Sequence, residues 1–165
     1  MSTTGPSCVS MREFLRTGNF GDIKLGDSMD QLRYVFGTPH QIGGAKAGRR
    51  NPRIWKYGDV EFHLSKDHQR IWLIFCDTFK NLNIGPGTSI DRWFFEGHPS
   101  CEIVERNLAS AGITCVRRDM PQESDAYLLR LNSGIELLFS YGEDQMMHPG
   151  IPGLFGFQYA NEQLG

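Results

Sequence analysis

Cysteine is scarce and widely spaced in this sequence: Cys8, Cys76, Cys101 and Cys115 are its four, and no two form a CxxC pair. That excludes a dense disulfide framework and the paired ligand spacing of a structural zinc site. His98-Pro-Ser-Cys101 is a single loose HxxC, read as a loop histidine beside a core cysteine, with Cys76 and Cys115 as small apolar strand residues. An excess of either charge is missing as well, since 17 basic and 19 acidic residues leave −2. No global field is available to hold a polyanion, so nucleic acid is not an expected partner. The basic residues Lys46, Arg49, Arg50 and Arg53 share one glycine-rich stretch and read as a solvated loop. No run approaches the ~18 apolar residues of a membrane span, and no signal-peptide core opens the chain. The expected address is cytoplasmic, with reduced thiols and no membrane partner. Gly85-Pro-Gly87 lacks the GK[ST] ending of a phosphate loop and reads as a turn before a capped helix. No cofactor is expected.

The 165 residues suffice for one domain that buries roughly two thirds of its unfolded surface. Met11, Phe14 and Leu15 recur at helical spacing after Ser10 and stop before Gly18-Asn19. Ser28 and Gln31 make a capping box for a helix carrying Met29, Leu32, Val35 and Phe36, closed by Gly37-Thr38-Pro39. Residues 40–52 read as a loop. Strand-like runs follow at 54–57, 60–65 and 70–77, separated by turns at Gly58-Asp59 and 66–69. A short aromatic helix is expected at 92–96, and a longer one runs from Pro99 or Ser100 to Ala111-Gly112. More strand-like runs fall at 113–117, 126–131, 135–141 and 154–159. The expected class is α+β, one antiparallel sheet with helices packed on one face.

The chain also begins again. Ile84-Gly-Pro-Gly87-Thr88-Ser89-Ile90-Asp91 matches Ile23-Lys-Leu-Gly26-Asp27-Ser28-Met29-Asp30 at an offset of 61, and Ile135-Glu136-Leu137 matches Val60-Glu61-Phe62 at an offset of 75. A tandem repeat of helix-turn-helix plus antiparallel strands is the simplest reading, with unit one at about 9–79 and unit two at about 80–160 in a single 1–165 domain.

Turn length fixes register, and register decides which face each side chain takes. A two-residue turn at Gly58-Asp59 pairs Tyr57 with Val60, Trp55 with Phe62, Lys56 with Glu61 and Ile54 with His63. Carried through the next hairpin, the register pairs Leu64 with Ile71, Phe62 with Leu73 and Val60 with Phe75 on the core face. His63 then lies opposite Trp72, and Glu61 opposite Ile74. In the second unit a three-residue turn at Asn132-Ser133-Gly134 pairs Leu131 with Ile135, Leu129 with Leu137 and Tyr127 with Phe139, and sets Arg130 against Glu136. Each unit thus places a base across from a glutamate on the outer face, where the pair adds about 0.2–1 kcal/mol. Ile54, Trp72, Ile74, Leu128 and Leu138 share that face. Such a face needs cover, either from the aromatic segment 154–159 or from a partner.

The run Phe20-Gly-Asp-Ile23-Lys-Leu-Gly26-Asp-Ser-Met29-Asp-Gln31-Leu32, closing at Phe36-Gly37, resembles the helix-turn-helix signature of β-lactamase-inhibitory protein and of the small outer-membrane assembly lipoproteins that share its unit. Trp55-Lys-Tyr57-Gly-Asp-Val60-Glu-Phe62 is similar to the first hairpin of bacterial proteins of this build. The resemblance covers about 11–76, with a degenerate second copy at 84–141, and implies two units backing one sheet whose concave face binds another protein. By position it implies Lys56, Glu61, His63, Trp72, Arg130 and Glu136 as contacts. The export signal and paired cysteines of those proteins are missing here.

Two functions remain open. The first is a cytosolic, non-enzymatic protein-binding module, of immunity or inhibitor type, using the outer face through Ile54, Lys56, Glu61, His63, Trp72, Ile74, Arg130 and Glu136. The alternative is a small-molecule-binding or hydrolytic domain with a pocket near the 40–52 loop and His98. Asp59, Glu61 and His63 alternate along one arm as acid–base candidates, although aspartate at a turn is usually a turn former. No catalytic residue and no metal ligand is assigned. Asp144, Met146, Met147 and His148 read as loop residues.

Overall fold

The computed structural model describes residues 8–43, 53–78, 81–120, 126–141 and 151–165. Strand β1 (Cys8–Ser10) leads into α1 (Met11–Thr17), followed by α2 (Met29–Phe36). Strands β2 (Gln41–Gly43), β3 (Ile54–Tyr57), β4 (Val60–Leu64) and β5 (Ile71–Cys76) come next. Strand β6 (Ser89–Asp91) precedes α3 (Cys101–Ser110), and then β7 (Cys115–Asp119), β8 (Ala126–Leu131), β9 (Glu136–Ser140) and β10 (Gly153–Ala160) complete the order. Eight strands form one antiparallel sheet in the order β2-β3-β4-β5-β10-β9-β8-β7, while β1 and β6 pair in parallel beside it. Two sequential four-stranded meanders therefore meet at their last strands.

Local chemistry sets the helices. Ser28 accepts from the Gln31 amide at 3.2 Å, so the predicted N-cap of α2 is made, and Ser10 caps α1 in the same way by accepting from the Glu13 amide. The helices turn Phe14 and Leu15, Leu32 and Phe36, and Val104 and Leu108 inward, into one buried cluster with Tyr57, Phe62, Leu129, Leu137 and Phe157 of the sheet. The Phe14 ring meets Phe157 edge-on at 5.4 Å, and Phe36 packs on Phe62 at 5.8 Å. All three helices thus cover the same face of the sheet. Each fully buried phenylalanine or leucine contributes about 1.5–3 kcal/mol, so this cluster outweighs the surface ion pairs.

The seam between the meanders is tight. Gly156 lies where β10 passes β5, at a register shift between Leu154 and Gly156, and a Cβ there would overlap the Cys76 carbonyl.

Four expectations about the elements need correction, the first being the 40–52 loop, in which Gln41–Gly43 form the edge strand β2 paired to β3. Residues 92–96 form a turn rather than a helix. Asp91 accepts from the Trp93 amide, Trp93 takes a positive φ of 54°, and Phe95 donates to the Arg92 carbonyl, which closes a single turn that buries Phe94 and Phe95. The segment matching the start of the first unit's α2 is the strand β6, so among the described residues the second half has one helix, α3, and no helix-turn-helix. Lastly, 154–159 does not cover the outer face but lies within β10, in the middle of the sheet.

A single rung across the outer face of the sheet

Both hairpins hold the register their turns predict. Tyr57 pairs with Val60, Trp55 with Phe62, Lys56 with Glu61 and Ile54 with His63. In the second meander Leu129 pairs with Leu137, Tyr127 with Phe139 and Arg130 with Glu136, and Gly134 takes a positive φ. The first turn is fixed from outside as well. Asp59 accepts from both the backbone and side-chain nitrogens of Asn83 at 3.1 and 2.9 Å, and His40 Nδ1 accepts from the Gly58 amide at 3.0 Å. Asp59 is therefore a turn former. Gly58, with φ 58°, cannot carry a side chain because a Cβ would overlap the Asn83 carbonyl.

The β4–β5 register differs from expectation. Leu64 still pairs with Ile71, but a bulge at Trp72 shifts the rest by one residue: His63 faces Leu73, Phe62 faces Ile74 and Glu61 faces Phe75. Ile74 is consequently fully buried in the core, and Leu73 and Phe75 take the outer positions, half-buried. Trp72 remains on the outer side, its indole edge-on to His63 at 6.3 Å. The 161–165 turn reaches it, with the Asn161 amide donating to the Trp72 carbonyl at 2.8 Å and the backbone at Gly165 against the indole. Trp72 is half-buried as a result.

Following the pairing from strand to strand gives one continuous outer rung: Gln41, Lys56, Glu61, Phe75, Gln158, Glu136, Arg130 and Val116. Its polar groups are tied together. Glu61 accepts from Lys56 Nζ at 3.4 Å and from His63 Nε2 at 3.0 Å. Glu136 accepts from Arg130 Nη1 at 3.1 Å and from Gln158 Nε2 at 2.7 Å. A carboxylate only accepts, so the His63–Glu61 bond places a proton on Nε2. Burial lowers the His63 pKa against the opposing pull of Glu61, and Arg53 lowers it further. The rung below carries Ile54, His63, Leu73 and Ala160. Towards the other end Leu128 is half-buried and Leu138 buried.

The structure therefore brings seven of the eight sequence-predicted residues onto one face and removes Ile74. It adds Phe75, Gln158 and Leu73, which sequence reasoning missed. Gln158 needed β10 to be placed between β5 and β9, a long-range pairing with no local signal.

Other candidate groups have ordinary partners. His98 Nδ1 lies 3.1 Å from the Leu154 carbonyl. All four cysteines are free, and burial pushes the Cys76 thiol up to about 12 and raises those of Cys101 and Cys115, which disfavours thiolates. Among the described residues no group of three histidine, cysteine or acidic side chains is placed to hold a metal. An open groove of about 360 Å³ lies beside the start of α2, lined by Ser28, Met29, Asp30, His68, Gln69 and Arg70, and neither His98 nor residues 41–43 line it. Lys46, Arg49, Arg50, Asp144, Met146, Met147 and His148 lie outside the described residues. No helix among the described residues is long and apolar enough to cross a membrane.

No protein-family model matches the chain, and no curated protein matches its sequence. Among solved structures it is similar to a DUF4309 family protein (YjgB) from Bacillus subtilis, with a TM-score of 0.49 and 16% identity over 92% of this chain and 93% of that chain. A likeness of that degree assigns no function.

Proposed function

We propose that the chain is a cytosolic, non-enzymatic protein-binding module, of immunity or inhibitor type, that engages another protein with the outer face of its sheet. The observation that carries this reading is the outer rung. It crosses all eight strands, sets half-buried Phe75 among charged and amide side chains, and lies on the face that no described helix covers. Protein-binding patches mix aromatic anchors with polar groups in this way. The glutamates are held by two donors each before any partner arrives, which lowers the ordering cost of binding. The resemblance of residues 20–37 to the β-lactamase-inhibitory-protein unit supports the same reading, as does the pairing of two four-stranded meanders, which we take to descend from a tandem duplication.

The test is capture of a partner from the cytosol of the native host by tagged wild type, Trp72→Ala and Lys56→Glu, with melting temperatures measured alongside. The same partner should be held by wild type and lost by both variants while their melting temperatures stay within a few degrees. Equal capture by all three would sink the proposal.

A further inference from the structure

We infer that the partner surface is acidic around an apolar centre, an inference that rests on the protein-binding reading above. In both outer ion pairs the cation stands further into solvent than its glutamate. Lys56 is 32% exposed against 21% for Glu61, and Arg130 is 48% exposed against 17% for Glu136. Each carboxylate already accepts from two side chains, Lys56 and His63 at one and Arg130 and Gln158 at the other. Its acceptor capacity is therefore partly spent. Among the described residues the cations retain donors, because an ammonium has three and a guanidinium five, and each is seen to give one to its glutamate. Exposed Arg118, in register with outward Leu128, adds another positive group near Arg130.

A chain of net charge −2 thus presents positive ends on this one rung. Lys56 and Arg130 stand five strand spacings apart, about 24 Å at ~4.8 Å per strand, and Phe75 lies between them. The complementary surface is a protein segment with carboxylates at two ends and an apolar or aromatic group at its middle. A nucleic-acid backbone fits less well, since its regularly spaced phosphates would meet Glu61 and Glu136 between the cations.

A displayed library of random peptides and small helical scaffolds, selected on the immobilised full chain, tests this, with a single-stranded oligothymidine as the polyanion control. Enriched binders should carry acidic residues on both sides of an aromatic. Their affinity should fall roughly tenfold in Lys56→Glu and in Arg130→Glu, and severalfold in the neutral Lys56→Gln and Arg130→Gln, which carry the test if charge reversal unfolds the chain. Neutral or basic binders lost on Phe75→Asp would overturn the acidic partner yet leave the face intact. Binders indifferent to Phe75→Asp but lost on Tyr34→Asp, on the exposed side of α2, would overturn the face itself, and so would a failure to enrich any binder. Tighter binding of oligothymidine than of any selected protein segment would also overturn the proposal.

Discussion

Glu61 organises the first hairpin's part of the outer face, because it accepts from both Lys56 and His63. Its lysine partner is readable from the sequence, since a two-residue turn sets Lys56 opposite it. His63 lies two residues further along the same strand, on the same face, and its bond to Glu61 follows from side-chain direction rather than pairing. Burial is the dominant influence on His63 and lowers its pKa below the ordinary 6.5. The unfolded chain then binds this proton more readily than the folded one. The stability this group contributes is complete above about 6.5 and is lost as the pH falls through the lowered folded value. His63→Gln keeps a donor for Glu61 and removes the titration. Urea midpoints followed from neutral to about pH 5 should therefore fall more steeply for wild type than for His63→Gln. Parallel slopes would show that His63 does not carry the pH dependence assigned to it.

At the scale of elements, β5 decides which apolar residues are core and which are surface. The hairpin registers are set by turn chemistry that the sequence displays at Gly58-Asp59 and at Asn132-Ser133-Gly134, and both hold. The bulge at Trp72 is different. Ile71-Trp-Leu-Ile-Phe75 is apolar throughout, so sliding it by one residue brings no polar group into the core, and alternation gives no warning. The bulge makes a measurable difference. Ile74→Ala should cost about 2–5 kcal/mol because the residue is fully buried, whereas Phe75→Ala, on the half-solvated side, should cost less. Denaturant unfolding of the two variants measures this, and the reverse order would restore the unbulged register. The turn at 92–96 was hidden for a related reason: its aromatic spacing suits a helix, but Trp93 adopts a positive φ that sequence periodicity does not register.

For the whole molecule, the sequence conveys the class, the two helices of the first half and the face to which each hairpin turns its charges. It does not convey how the two meanders join. The β5–β10 seam pairs Phe75 in the middle of the chain with Gln158 near its C-terminus, and only this contact turns two separate ion pairs into one rung. The expected cover from 154–159 fails for the same reason, since that segment is spent as the central strand. The central claim is that this rung meets another protein. It is tested most directly by placing a photoreactive phenylalanine analogue at position 75, or at position 34 on the exposed side of α2 as a control, and irradiating cells that make the chain. A crosslinked adduct of defined mass should form from position 75 and be absent from position 34. Adduct from position 34 alone, or from neither position, would contradict the assignment of the outer face as the binding surface.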